Sequence, residues 1–294
     1  MVSIIVPTYR RETELKRALD SLKKLDYDSY EIIVVDDNGD AIWNRKVEEQ
    51  VRTFQNDNQS IIVKYIVNSP NMGSARTRNI GIAAAEGEYI CFLDDDDIYL
   101  PKRVKHQLEA MQQEDADFSI TDLALYDSKE NLIEVRKRDY VEDTSIESLM
   151  RYHLMYHMTG TDTLMFKKEY LDKIGGFDPI DSGDEFYLMV KAIEHGGKFL
   201  YVPVCDVKAY VHVGDDGISS GFGKIEGENQ LFEYKKTKFS ELDKKTIRYI
   251  KMRHHAVLAF AYLRMKKYVL FFVEGIKACL YDLKSSIELV IKRK

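Results

Sequence analysis

Four short apolar runs decide what this chain can fold into. Residues 2–6, 31–35, 61–67 and 88–93 are rich in valine and isoleucine and begin about 27–30 residues apart, the length of a strand–helix–strand unit. The runs are continuous rather than alternating, the pattern of strands buried on both faces of a parallel sheet. Helical patterns over 14–24, 43–56 and 74–85 separate them, and Leu15, Ala18, Leu19 and Leu22 recur at the spacing of one helix face. This predicts a layered α/β domain with right-handed crossovers.

The beat continues less regularly past residue 100. Pro101 opens a helix over 102–113. Residues 118–126 read as a strand, 145–156 as a helix capped by Thr144 or Ser145, and 161–166 as a strand before the turn Gly175-Gly176-Phe177-Asp178. A helix over 184–194 ends at Gly196-Gly197, one or two strands occupy 199–213, and 214–223 is a loop rich in Gly, Ser and Asp. From 224 on there is no proline and the patterns are helical. Residues 241–294 carry 13 basic and 5 acidic side chains, so this end is +8 while 1–240 is −14, which suggests different partners for the two parts.

The net charge of −6 argues against a general nucleic-acid binder. Three widely spaced cysteines, Cys91, Cys205 and Cys279, form neither a disulfide framework nor zinc-type spacing. The first residues are strand-like and too short for a secretory signal. No run reaches 18 apolar residues. The expectation is a cytoplasmic protein.

Two acidic groups end strands. Asp36-Asp37 follows the second run and Asp94-Asp95-Asp96-Asp97 the fourth. Ligands of open α/β sheets bind outside the carboxyl ends of the strands, so both groups point at one crevice. Two carboxylates about 5 Å apart repel by roughly 3 kcal/mol at an effective dielectric near 20. Either the run faces water or a hard divalent cation, Mg²⁺ or Mn²⁺, sits among its oxygens. The run lacks the glycine and the spaced later ligands of an EF-hand, and no phosphate-binding Walker loop exists. Between the acidic groups, residues 71–81 (NMGSARTRNIG) open the third helix, and a helix start with Gly and Ser is suited to anions. Arg76 and Arg78 cannot share a face, so one points to the crevice and one to solvent. Asn79 lies on an apolar stripe and needs buried partners, expected from the loop after the fourth strand.

Taken in order, VSIIVPTYRR, EIIVVDD, NMGSARTRNIG, GEYICFLDDDD and GGFDPIDSGDEFYLMVKA resemble the family 2 glycosyltransferases of the GT-A fold, over about residues 1–215. Bacterial enzymes of capsule, exopolysaccharide or lipopolysaccharide synthesis are the nearest likeness. The resemblance implies a Rossmann-like, mostly parallel sheet flanked by helices. It makes 1–223 the catalytic domain, with 1–100 binding the nucleotide-sugar and 101–223 the acceptor, followed by a basic amphipathic helical tail over 224–294. It implies inverting transfer from a nucleotide-sugar, most often a UDP-sugar, to a saccharide or lipid-linked acceptor with Mn²⁺ or Mg²⁺.

Carried over residue by residue, the resemblance has Pro7, Thr8 and Tyr9 border the base and Asp37, or else Asp36, bond the uracil. Arg78 would approach the diphosphate, Asp94 or Asp95 hold the ribose, and Asp96, with Asp94, hold the metal. The family's Asp-x-Asp-Asp pattern falls on Asp94, Asp96 and Asp97. The base would be Glu185, with Asp184 the alternative, because the family's Glu-Asp order is reversed here. His212 would add a metal or phosphate contact. His157 and Thr159 would line the acceptor pocket.

For the tail, the apolar patches 256–263 and 268–273 lie among basic residues. The alternatives are packing on the main domain or on a second subunit in a homo-oligomer, and a peripheral lie on the anionic inner face of the cell membrane. Two other functions stay open: a non-catalytic nucleotide-sugar-binding subunit, and a nucleotidyltransferase, which the absence of a Gly-rich basic loop after the first strand disfavours.

Overall fold

The structure is a computed structural model and describes residues 1–180, 182–211 and 221–291. It divides into two compact units, one of residues 1–146 and 158–211, the other of 147–157 and 212–294.

The first unit is built on a seven-stranded sheet. Its strands are β1 (Val2–Thr8), β2 (Tyr30–Asp36), β3 (Ile62–Val67), β4 (Tyr89–Phe92), β6 (Phe118–Thr121), β9 (Met165–Lys167) and β10 (Phe199–Val202), in the order β10-β6-β9-β4-β1-β2-β3. All pairs are parallel except those of β9, which runs antiparallel to both β4 and β6. A second sheet has the order β5-β11-β7-β8, from β5 (Ile98–Tyr99), β7 (Leu123–Tyr126), β8 (Leu132–Arg136) and β11 (Val207–Tyr210). The expected strand–helix beat is present, with α1 (Thr13–Leu22), α2 (Ala41–Asp57), α3 (Ser74–Ala84) and α4 (Arg103–Glu114) between the strands. Every residue of β2 and β4 is buried, and Leu15, Ala18, Leu19 and Leu22 of α1 close over the sheet. Burial of this kind contributes about 25 cal/mol per Å² of apolar surface.

Three sequence expectations need correction. Residues 118–126 are not one strand: the run breaks at Asp122, whose carboxylate accepts Arg138 N–H (3.1 Å) and Tyr201 O–H (2.8 Å), and β6 and β7 go to different sheets. Residues 161–163 form a 3-10 turn and only Met165–Lys167 is strand. β3 is an edge strand, half-buried rather than covered on both faces. The helices α5 (Ile146–Tyr156) and α7 (Asp184–Glu194) stand where the pattern placed them, and α6 (Lys168–Lys173) is an addition.

The second unit is helical. It contains most of α5, with α8 (Gly221–Thr237), α9 (Lys244–Arg264), α10 (Tyr268–Tyr281) and α11 (Leu283–Ile291). Met252 and Ala256 of α9 and Ala278 of α10 form its small core with Tyr249, Tyr281 and Leu289.

Candidate active site

The carboxyl ends of β1, β2 and β4 lie side by side because the strands are parallel and in register, Thr8 opposite Asp36 and Ile5 opposite Phe92. Side chains after these strands therefore converge. Asp36 is fully buried and accepts from Tyr65 O–H (2.6 Å) and from Asn38 N–H and Nδ2 (2.9 and 2.7 Å), so it braces the strand end. Asp37 gathers the loop before α3: its carboxylate accepts Asn68 Nδ2 (2.9 Å), Met72 N–H (2.7 Å) and Gly73 N–H (2.9 Å). Gly73 has φ +80°, a backbone region that suits glycine. Gly39 likewise has φ +60°, and a Cβ there would meet the Asn71 backbone at 2.7 Å.

The four-aspartate turn is divided among different partners. Asp95 is buried and accepts from Thr8 Oγ1 (2.7 Å) and Tyr9 N–H (3.2 Å), which ties the turn to the end of β1. Burial and the adjacent Asp96 push its carboxyl up to about 7 against the pull of Arg11. Asp96 pairs with Arg11 Nη1, and its carbonyl accepts from Arg17 Nη2 (2.9 Å). Pro7 is half-buried and Tyr9 exposed at this edge.

Asp94 and Asp97 turn inward and meet Asp162 of the 3-10 turn. One carboxylate oxygen from each lies within 4.8 Å of the other two. Asp162 accepts the Asp94 N–H (2.6 Å), and Asp97 accepts the Tyr210 N–H (2.9 Å). Burial first, then Asp94 and Asp96, push the Asp162 carboxyl up to about 7, and burial with Asp162 drives Asp97 upward as well. Three hard oxygen donors this close, two of them buried, fit a small divalent cation such as Mg²⁺ or Mn²⁺. Asp162 was not legible from spacing: β9 reverses direction between β4 and β6, which brings the turn before it to the end of β4. Its aim is fixed from behind. Arg103, fully buried, donates from Nη2 to the Asp162 carbonyl (2.7 Å), Gln107 donates to Thr163 O (3.0 Å), and Tyr99 O–H reaches Asp162 O (3.2 Å).

Arg78 joins this group to the start of α7. Its guanidinium donates to Asp94 Oδ1 through Nη2 and to Asp184 Oδ2 through Nη1, both at 2.6 Å, while Arg76 on the same helix is exposed. Burial opposes the charge of Arg78, but Asp94 and Asp184 outweigh it and keep the guanidinium ionised. Asp184 also accepts from Ser74 Oγ (3.1 Å). Its carboxyl is still pushed up, because burial and the neighbouring Glu185 outweigh Arg78. Glu185 is half-buried next to it and contributes to the field on Arg78. Asn79 finds its partners in the glycine turn rather than after β4, exchanging bonds with Phe177 O (2.7 Å) and Phe177 N–H (2.9 Å). A polar cavity of about 240 Å³ opens beside the α3 N-terminus, lined by residues 72–76 with Pro179 and Ile180.

His212 lies outside the described residues. Thr159 is buried in the first unit and His157 belongs to the second, where burial and nearby Lys235 and Arg253 hold its imidazole well below the usual range.

Chains of similar sequence and similar fold are known. An uncharacterized glycosyltransferase of Methanocaldococcus jannaschii is 28% identical over 201 residues, 68% of this chain and 67% of that protein. The chain spans 18–62% of the length of the next seven curated relatives. Among solved structures, the mannosyltransferase PcManGT of Pyrobaculum calidifontis in complex with GDP-Man and Mn²⁺ superposes with a TM-score of 0.64 at 17% identity, covering 99% of this chain and 83% of that one. S. aureus TarS 1–349 in complex with UDP-GlcNAc gives 0.59 at 17% identity, over 95% and 91%. Both show the same GT-A fold. The glycosyl transferase family 2 model matches residues 3–175, from the first strand through the acidic turn to the glycine turn, and with these strand-end acids in place the chain belongs to that family of glycosyltransferases.

Proposed function

We propose that the chain is an inverting, metal-dependent glycosyltransferase that moves a sugar from a UDP-sugar to a saccharide or lipid-linked acceptor in bacterial surface polysaccharide synthesis. The observation that carries the reading is the Arg78 fork, which gathers Asp94 from the donor side and Asp184, next to Glu185, from the start of α7 into one crevice.

In this reading Pro7, Thr8, Tyr9 and Asp37 border the base, with Asp36 behind them, and Asp95 stands at the ribose. Asp94 holds the cation with Asp97 and Asp162 or with Asp96, and His212 is a further candidate ligand. A bound divalent cation supplies Lewis-acid stabilisation of charge on the departing diphosphate. Arg78 supports the same charge from the protein side. Glu185 takes the proton of the acceptor hydroxyl as its oxygen bonds to the anomeric carbon. The bond from that carbon to the diphosphate oxygen breaks, the electron pair leaves with the diphosphate, and attack from the opposite face inverts the centre. Asp184, whose carboxylate accepts from Arg78 and Ser74, is the alternative base.

The test is nucleoside diphosphate release from a panel of UDP-sugars, with GDP-mannose as a separate arm, in the presence and absence of Mn²⁺. Release with a UDP-sugar that needs Mn²⁺ supports the reading. Release only from GDP-mannose overturns the uridine assignment, and tight nucleotide binding without turnover on any donor and acceptor overturns catalysis. Asp162→Asn and Asp96→Asn separate the two cation sets: the variant with the larger rise in the Mn²⁺ concentration needed for half-maximal rate identifies the set used.

A further inference from the structure

The helical unit leaves a broad apolar face uncovered. Of the two patches that the sequence marks, the one in α9 is partly spent on the core, with Ala256, Leu258 and Ala259 buried and only Leu263 exposed. The face that remains belongs to α10. Val269, Phe272, Val273, Ile276 and Leu280 recur at the spacing of one helical stripe and are 77, 63, 41, 61 and 80% exposed. Phe222 at the start of α8 is 64% exposed, and Lys267 lies 4.0 Å over its ring. The opposite side of α10 is spent on the core: Ala278 packs there, and Glu274 is buried and paired with His255 Nδ1 (2.6 Å) and Lys277 Nζ (2.7 Å). The stripe is therefore surplus to the unit's own packing, and α11 repeats the pattern with Leu283, Ile287 and Val290 exposed.

Charge selects the occupant. Residues 264–294 carry eight basic and three acidic side chains, an excess of five positive charges in a chain of net charge −6, and this excess remains after Glu274 is paired with Lys277 and Glu288 with Lys284. A second copy docked on the same face would set one basic stretch against another. An anionic bilayer surface complements both features, taking up the apolar stripe and attracting the lysines. The 14 residues of α10 reach about 21 Å, short of the 30 Å hydrocarbon core, and no described helix is long and apolar enough to cross a membrane. We infer that α10, continued by α11, lies in the interface of an anionic membrane with its Val269–Leu280 stripe inserted, while α9 is the scaffold that presents it.

The experiment is co-sedimentation of the full chain with vesicles of phosphatidylcholine alone and with 30% phosphatidylglycerol. It needs neither donor nor acceptor, so its failure leaves the transferase reading standing and the converse holds too. The expected result is at least tenfold stronger partition onto the anionic vesicles, weakened by salt. Phe272→Ser/Ile276→Ser/Leu280→Ser should lose at least tenfold of that partition with unchanged circular dichroism, because all three side chains are exposed. Lys266→Gln/Lys267→Gln should lose about tenfold on anionic vesicles only, and it carries the test should the triple variant misfold. Equal partition of both variants and the parent, or none by the parent, overturns the inference. So does a parent dimer in sedimentation equilibrium that the triple substitution makes monomeric without any vesicle binding, which would assign the face to a second copy.

Discussion

Arg78 is a buried cation held by two acids from distant parts of the chain, Asp94 and Asp184. Removing a buried ionic partner costs more than the pair contributes, about 3–5 kcal/mol, because the remaining charges stay uncompensated. Arg78→Ala should therefore lower unfolding stability by about that amount in urea denaturation, with transfer lost in addition. Arg78→Lys keeps the charge but not the two-pronged geometry, so it should recover most of the stability and little of the turnover. For Glu185→Gln the expectation differs: turnover falls roughly 10²–10⁴-fold with nucleotide binding retained, measured by steady-state rates and by titration of UDP with Mn²⁺. If Asp184→Asn shows that split and Glu185→Gln does not, the base is Asp184. Much of this site is legible in the sequence, because acids placed directly after strands must gather at one sheet edge. Asp162 is not, since a lone acid before a short strand carries no signal until the direction of that strand is known.

At the scale of elements, the strands most visible in the sequence are those covered on both faces, β1, β2 and β4. The elements that escape are the ones whose burial is partial or whose sheet changes. β8 is largely exposed at the edge of the second sheet, and the apolar run from Phe118 to Tyr126 gives no sign that it switches sheets at Asp122. The short β9 matters most, because the turn before it carries Asp162. That turn is held by Arg103, Gln107 and Tyr99 from behind. Arg103→Met should leave the Asp162 and Leu164 carbonyls short of a donor, cost about 1–3 kcal/mol, and raise the Mn²⁺ requirement severalfold. A variant with lowered stability and an unchanged Mn²⁺ requirement would confine Arg103 to packing. In the helical unit, Glu228 of α8 is buried among His254, Lys235, Lys224 and Arg253. Burial pushes its carboxyl up, but these partners prevail and lower it to about 2. An acid lowered on folding stabilises fully above its unfolded value and loses that contribution as pH falls from about 4.5 toward 2, on the order of 3–4 kcal/mol at most. Glu228→Gln should flatten this acid limb in pH-dependent denaturation, and an unchanged limb would show that Glu228 is not its source.

For the molecule as a whole, the division into two units does not follow the order of the chain. Residues 147–157 sit among the units' boundaries in sequence, yet they cluster with 212–294. Tyr156 packs edge-on against Tyr249 of α9 at 5.4 Å between ring centroids, so α5 and the C-terminal helices complete one another. A chain cut after residue 223 would keep every described strand and every candidate site residue, and a sequence-based boundary makes that cut attractive. It would also deprive α5 of the aromatic partner beside Tyr156 and expose apolar surface that water penalises at about 25 cal/mol per Å². A helix stripped of its packing partners is marginal at the 11 residues of α5. The expected outcome is a truncated chain that melts lower than the full chain and aggregates, in thermal denaturation followed by circular dichroism and in size-exclusion chromatography. UDP with Mn²⁺ should raise the melting temperature of both, since a ligand at 100 times its dissociation constant adds about 2.7 kcal/mol to whatever it binds. A truncated chain that melts with the full chain and stays monodisperse would mean that α5 stands without the C-terminal helices, and that the first unit alone carries the catalytic fold.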